Sequence, residues 1–214
     1  PDWEYKLWSN KECRDLIKDE FYWFLPVYDG YDYNIQRADA IRYFILYQFG
    51  GLYCDLDIWC AKNITELISG ECTLFAEHPD HSLQEYFLSK PVYTNSIFYS
   101  KPKGKFMKKI MHSLQAASNF KQHEDLNPDT IFSTRTGTMS GNPMTVVMST
   151  GPGILTSAYY KYRTISDVNI QPHQCFEYCS KHERHSKLTN QDMSIPDDAF
   201  GVHWMIGSWI VTAN

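Results

Sequence analysis

The sequence predicts an α/β fold, a single mixed sheet flanked by helices, forming one domain over residues 1–214. Three observations point there. Helix-like and strand-like apolar periodicities alternate along the chain. A Gly50-Gly51 pair joins a helix-patterned run directly to a strand-patterned one, with no room for another element between them. At 214 residues and 43% apolar content, the chain has material for one sizeable core.

The elements follow in order. Trp3-Glu4-Tyr5-Lys6-Leu7-Trp8 alternates and predicts a short strand. Ser9, with Glu12 three residues on, is a capping-box signature opening a helix to about Glu20. The aromatic stretch 21–33 contains Pro26 and Gly30 and predicts a loop; its rings are expected to pack in the core rather than to stack on glycans. Ala38, Ile41, Ile45 and Phe49 keep helical spacing over 35–49, and the two glycines end that helix. A strand is expected over 52–57, a short helix over 64–69, and strands over 73–77 and 92–100. Phe106, Ile110 and Leu114 mark an amphipathic helix to about Ser118. Residues 119–142 predict a polar loop, followed by a helix over 143–149. Thr150-Gly151-Pro152-Gly153 breaks the chain before another helix to about Tyr162, or offers backbone N–H groups to an anion or an acceptor hydroxyl. The last strands are expected over 168–170 and 200–204.

Composition excludes some functions. The net charge is −5 and no dense Lys/Arg stripe is present, so a nucleic-acid partner is not expected. No apolar stretch approaches the length of a membrane span, and neither a span nor a signal peptide is expected in these residues. His173, Cys175, Cys179 and His182 form a zinc-like set, but the spacing departs from the common C-x₂-C hairpin, so a disulfide or free thiols are favoured. Cys54 reads as a plain buried thiol. Asn63-Ile64-Thr65 is an N-glycosylation sequon, a triplet that often arises by chance.

The chemistry concentrates at Gly50-Gly51-Leu52-Tyr53-Cys54-Asp55-Leu56-Asp57. On a strand, Leu52, Cys54 and Leu56 would share one face, and Tyr53, Asp55 and Asp57 the other. Two carboxylates at that spacing repel unless a cation lies between them, and hard oxygen ligands suit Mn²⁺ or Mg²⁺ bridging to phosphates. A D-x-D triplet alone is weak, being as consistent with a polar strand end. The preceding helix strengthens it. Asp39 and Arg42 are three residues apart, hence on one helix face, and the Gly-Gly turn folds that face toward the aspartates. A solvated ion pair is the alternative for these two.

The run Asn34-Ile35-Gln36-Arg37-Ala38-Asp39-Ala40-Ile41-Arg42-Tyr43, then Leu46-Tyr47, Gly50-Gly51-Leu52-Tyr53 and Asp55-Leu56-Asp57, resembles the DxD-containing sugar-binding region of glycosyltransferase family 32. Its wording is closest to the inositolphosphoceramide mannosyltransferase branch, beside the initiating α-1,6-mannosyltransferases. A thinner resemblance covers Thr94-Asn95, Thr150-Gly151-Pro152-Gly153, His203 and Gly207-Ser208-Trp209. The resemblance implies a GT-A type fold, a nucleotide-sugar donor (GDP-mannose, or a UDP-hexose second), Mn²⁺ or Mg²⁺, a glycan or glycolipid acceptor, and transfer with retention. By the family's pattern Arg37, Asp39, Arg42 and Asn95 would face the donor sugar, and Tyr53 the nucleotide. Asp55 and Asp57 would organise metal, ribose and diphosphate, while His203, Ser208 and Trp209 would close over the metal and diphosphate. It also implies a Golgi-lumen location for a eukaryotic chain and a cytoplasmic one for a bacterial or viral chain. Family members usually begin with an Ile-His-Gln-x-Trp-like strand ahead of the segment matching Pro1-Asp2-Trp3, so by the resemblance the sheet lacks its usual first strand here. Either that strand, part of the base pocket, and any membrane anchor lie upstream in a longer chain, or this chain supplies the base pocket another way.

Two other readings compete. Haloacid-dehalogenase-type phosphatases also place D-x-D at a strand end, but Ile58-Trp59 after the triplet fits them poorly, although Asp197-Asp198 would serve as their acidic pair. A catalytically weak or inactive sugar- or nucleotide-binding module is the other, since fold alone does not certify activity.

Overall fold

The computed structural model describes residues 3–80, 83–118, 142–190 and 194–205. Ser9 opens α1 (Asn10–Glu20) with the expected capping box, its hydroxyl and backbone N–H both meeting the Glu12 carboxylate. Where a loop is expected over 21–33, a 3₁₀ turn, Tyr22–Phe24, instead runs into α2 (Leu25–Asp29). Pro26 lies in the first turn of α2, where its missing N–H costs nothing, so it starts a helix rather than interrupting one. The rings of this stretch do pack as core: Phe21, Phe24, Tyr28 and Tyr31 are buried, while Tyr22 and Trp23 remain exposed.

Helix α3 (Asn34–Phe49) is the backbone of the fold. Its N-terminus is held by Gln36 Oε1 accepting the Tyr33 N–H at 3.2 Å. It ends at Gly50, whose φ of 71° and ψ of −167° belong to a region that essentially only glycine occupies. The next residue already belongs to β1 (Gly51–Cys54). A Cβ on Gly50 would stand 2.6 Å from Cδ of Pro102, so the turn is closed to other residues by packing as well as by backbone geometry.

Beyond β1 the chain makes β2 (Ile58–Cys60), a 3₁₀ turn Thr65–Leu67, β3 (Cys72–Ala76) and β4 (Tyr93–Ser100), then α4 (Lys105–Ala117), α5 (Asn142–Ser149) and α6 (Pro152–Tyr162). It closes with β5 (Val168–Gln171), α7 (Lys181–Thr189) and β6 (Gly201–His203). The main sheet has the order β1-β4-β3-β5; β4 is antiparallel to both neighbours and β3 runs parallel to β5. A mixed sheet flanked by helices is thus what forms, and a second, two-stranded sheet pairs β2 with β6.

Alternation along β3 and β4 divides the core. Leu74 and Phe98 face the helices, packing with Phe44, Phe106, Ile110 and Leu155. Phe75 and Ile97 face the other way, against Ile64, Leu67, Cys175 and Phe176. Each such side chain, buried on the central strands, contributes about 1.5–3 kcal/mol of transfer free energy.

Several expectations change. Residues 3–8 form no strand, because no ladder partner lies beside them. Side chains hold the segment instead: Trp3 Nε1 donates to Thr65 Oγ1 at 3.2 Å, and the Trp8 ring lies 5.4 Å from that of Phe49. The strand expected over 52–57 stops at Cys54, and Leu56, expected on its apolar face, is 84% exposed at a turn. Strand β2 and helix α7 were not anticipated, although Ser180 and Glu183 carry the same capping-box spacing as Ser9 and Glu12 and form that box. The polar loop expected over 119–142 lies almost wholly outside the described residues. Among the described residues no helix is long and apolar enough to cross a membrane.

The Gly50 turn supplies a direct test of this architecture. Gly50→Ala is expected to cost about 1–3 kcal/mol of stability, the usual penalty for a non-glycine residue in such a backbone region. A urea unfolding midpoint unchanged from the parent would show that α3 and β1 are not joined in this way.

Candidate active site

The D-x-D segment is presented by a turn rather than a strand. The Asp55 N–H donates to the Ser96 carbonyl at 2.8 Å, continuing the β1–β4 ladder by one bond, and the Ile58 N–H then returns to the Asp55 carbonyl at 3.2 Å. Leu56 and Asp57 sit in the reversal that carries the chain from the main sheet into β2. Tyr53 and Asp55 do share a face, as alternation requires: the Tyr53 hydroxyl donates to Asp55 Oδ1 at 2.6 Å. The Cys54 thiol is only half-buried and lies 3.6 Å from the Asp55 carbonyl oxygen.

Asp39 and Arg42 are not a solvated ion pair. They are 6% and 3% exposed, and Arg42 Nη2 stands 2.6 Å from Asp39 Oδ1. Buried charges are tolerated only when paired and hydrogen-bonded, and here every neighbouring element contributes. From β4, Asn95 Nδ2 donates to Asp39 Oδ1 at 3.0 Å, while its carbonyl accepts from Arg42 Nη1 at 2.6 Å. From the α5–α6 junction, the Thr150 hydroxyl reaches Asp39 Oδ2 at 3.3 Å. Arg42 Nη1 also faces Asp55 Oδ1 at 3.5 Å, and the guanidinium lies 4.5 Å from the centre of the Tyr53 ring. Burial pushes the Asp39 carboxyl up from its ordinary pKa and the Asp55 charge adds to this, while Arg42, Asn95 and Thr150 oppose it. Burial also works against the Arg42 charge, but Tyr53, Asp39 and Asp55 around it outweigh that and raise its pKa.

The C-terminal strand brings the last group. β6 pairs with β2 so closely that a Cβ on Gly201 would collide with the Trp59 carbonyl oxygen. The Trp204 N–H then donates to the Asp57 carbonyl at 3.0 Å. This pairing sets His203 Nε2 3.7 Å from Asp57 Oδ1. Behind the ring, His203 Nδ1 lies 2.9 Å from Glu177 Oε1. Glu77, also buried, stands beside Glu177. Burial and the Glu177 charge drive the Glu77 carboxyl well above its ordinary value. Burial alone would raise Glu177 too, but His203, a hydrogen bond from Glu77 and the Arg184 charge more than offset it and hold Glu177 low.

Asp39, Arg42, Tyr53, Asp55, Asp57, Asn95 and His203 therefore line one cleft of about 1460 Å³, walled on one side by residues 3–8. Arg37 reaches the same cleft, yet its guanidinium donates to the carbonyls of Tyr31 at 2.6 Å and Asp29 at 3.2 Å and to Asn34 Oδ1 at 3.1 Å. Ser208 and Trp209 lie outside the described residues. Thr150, Glu77 and Glu177 are the site groups that sequence reasoning missed. The Thr150-Gly151-Pro152-Gly153 break was noticed for its backbone N–H groups, whereas the Thr150 hydroxyl is what meets Asp39; Glu177 carries no motif.

The zinc-like set does not assemble. Among the described residues no three His, Cys, Asp or Glu side chains gather to hold a metal, and Cys175 and Cys179 are free thiols. The reason is burial: Cys175 is packed into the apolar cluster with Phe75 and Phe176, while His173 Nδ1 is turned to the Glu177 carbonyl at 2.9 Å.

Comparison with known proteins gives these residues a context. Residues 1–74 match the family model described as glycosyltransferase sugar-binding region containing DXD motif. Inositol phosphoceramide mannosyltransferase 1 of Schizosaccharomyces pombe is 31% identical over 161 residues, covering 75% of this chain and 41% of that protein. Inositol phosphoceramide mannosyltransferase 3 of the same yeast is 50% identical over 68 residues, 32% of this chain and 19% of that one. A mannosyl phosphorylinositol ceramide synthase of Saccharomyces cerevisiae is 46% identical over 69 residues, 32% of this chain and 18% of that one. The chain thus spans less than half the length of these relatives. Among solved structures, PaToxG glycosyltransferase aligns at a TM-score of 0.43 and 18% identity, over 73% of this chain and 44% of that one. The phosphatase reading of the D-x-D triplet is set aside by the family match. Through residues 1–74, which carry Asp39, Arg42, Tyr53, Asp55 and Asp57, the chain belongs with the glycosyltransferases whose sugar-binding region contains the DXD motif.

Proposed function

We propose that the chain works as a metal-dependent, retaining hexosyltransferase that moves a hexose from a nucleotide-sugar to a glycan or glycolipid hydroxyl. GDP-mannose is the first choice of donor, supported by the likeness to inositol phosphoceramide mannosyltransferases, and UDP-galactose or UDP-glucose the second. The observation that carries the reading is the convergence of two differently built groups on one cleft. At one end is the buried Asp39–Arg42–Asn95–Thr150 cluster; at the other is the turn bearing the half-buried Asp57 against His203.

The residues present fit a Mn²⁺ or Mg²⁺ ion. Asp57 Oδ1 and His203 Nε2 are 3.7 Å apart, too far for a hydrogen bond. Two ligand atoms each about 2.1 Å from a shared ion lie roughly 3–4 Å apart. Because no third side chain of metal-binding type joins them among the described residues, the remaining positions suit diphosphate oxygens and water, as these ions prefer. When bound, such an ion neutralises the negative charge that builds on the departing diphosphate.

The chain's own residues supply the rest. Asp39 is the group placed to accept hydrogen bonds from donor-sugar hydroxyls, and its fixed orientation favours the oxocarbenium-like charge of the transferring sugar. Arg42 directs its N–H groups at Ala38, Asn95 and Asp39, so it acts by holding Asp39 and by facing Asp55 rather than by gripping the sugar itself. Asp55, tied to Tyr53, links the sugar end to the diphosphate end.

Two measurements test this. In a panel of GDP- and UDP-sugars, GDP-mannose is expected to be hydrolysed slowly and only with Mn²⁺ or Mg²⁺. Turnover with a UDP-sugar alone would overturn the mannose choice, and turnover with none would favour a binding module over an enzyme. Asp39→Asn is expected to lower turnover on the order of 10²-fold, and to destabilise the fold by about 3–5 kcal/mol because Arg42 loses its closest partner. Mn²⁺-dependent binding of GDP should be nearly unchanged in the folded variant; its loss would place Asp39 in the metal shell.

A further inference from the structure

We propose that Glu177 is a positioning residue for the diphosphate end of the cleft, fixing the His203 ring in the tautomer whose Nε2 lone pair faces Asp57. The proposal rests on the reading above that His203 and Asp57 share an ion, and it deepens that reading by one layer.

A neutral imidazole has one donor and one acceptor nitrogen, and which is which follows from the partner that one of them already has. His203 Nδ1 lies 2.9 Å from Glu177 Oε1. The other Glu177 oxygen accepts the His78 backbone N–H at 2.8 Å and faces Arg184 Nη1 at 3.7 Å. Both oxygens are thus used as acceptors, so the proton between ring and carboxylate belongs on Nδ1. Nε2 is then the lone-pair nitrogen, and it is the one aimed at Asp57, 3.7 Å away. A carboxylate behind a histidine, orienting it and raising its basicity toward a metal, is the usual support for such a ligand.

The surroundings leave the ring little freedom. Glu177 is 2% exposed and His203 5%. The His203 backbone N–H donates to the Phe176 carbonyl at 2.9 Å, so the backbone and the ring of residue 203 are both anchored to the 176–177 segment. That segment is held in turn by the Glu177 N–H and His173 Nδ1, which bond back within the 173–177 turn. Glu177 does not itself line the cleft; it meets the lining at His203 and at the neighbouring Glu77, and of these two it is His203 that faces Asp57.

Glu177→Gln discriminates this role from plain packing. Glutamine keeps the shape but offers one acceptor and one amide. With its oxygen retained by the His78 N–H and Arg184, the amide faces Nδ1, which must then become the acceptor and leave the proton on Nε2. Imidazole ¹⁵N NMR at pH 8 without metal is expected to show His203 protonated on Nδ1 in the parent and on Nε2 in Glu177→Gln. Mn²⁺ affinity in the presence of GDP, read by EPR, is expected to fall about 10–100-fold in the variant. A parent ring protonated on Nε2, or a variant whose tautomer and Mn²⁺ affinity both match the parent, would overturn the proposal. The parent spectrum decides the tautomer even where the variant does not fold. Mn²⁺ binding unchanged in His203→Ala would instead remove the metal reading on which the proposal rests, and that outcome is independent of the tautomer measurement.

Discussion

The site is organised around a carboxylate and a guanidinium held 2.6 Å apart in a place that water barely reaches. A buried ion pair is a poor way to gain stability, because desolvating two charges offsets most of their attraction and an apolar pair of similar volume often serves as well. Its presence on α3, whose neighbours Ala40, Tyr43 and Phe44 are ordinary core, is more economically explained by the cleft it floors. Once there, the pair dictates its surroundings. β4 must offer both the side chain and the carbonyl of Asn95, the α5–α6 break must offer Thr150, and the α3–β1 reversal must be tight enough to bring Asp55 to Arg42.

The opposite end of the cleft is assembled from parts far apart in the chain. Leaving the main sheet after β1, the backbone turns at Leu56–Asp57 and pairs with the last described strand, so that the groups meeting at Asp57 come from residues 203 and 204. This gives the two ends different mechanical characters. The Asp39–Arg42 end is buried and tied by hydrogen bonds from three elements. The Asp57–His203 end is a turn against a three-residue strand, the sort of element that opens at lower free energy than a central strand. Such a division would suit the proposed transfer, in which one sugar is recognised and a charged leaving group released.

Much of this was legible in the chain because the signals were local. The capping box at Ser9, the helical spacing to Phe49 and the Gly50-Gly51 stop each depend on neighbours in sequence, and each formed as read. The approach of Asp39 and Arg42 to the D-x-D segment followed from one helix, one turn and one strand. What escaped was long-range or contextual. Residues 3–8 have the pattern of a strand but no partner to pair with, and pattern alone does not supply one. Leu56 alternates with Cys54 in sequence, but the turn ends the strand before alternation can apply. Pro26 breaks a helix only in its interior, and in the first turn of α2 it starts one, a position that only the fold reveals. Glu177 lies 26 residues from His203 in a segment without periodicity, so only the fold reveals their contact.

The most direct test of the account is the position of the ion itself. Anomalous scattering from a crystal grown with Mn²⁺ and GDP should place a single manganese about 2.2 Å from both the Asp57 carboxylate and His203 Nε2, with the diphosphate completing its shell and Asp39 outside it. A manganese coordinated by Asp39, or one bound without either Asp57 or His203, would contradict the division of the cleft into a sugar end and a diphosphate end.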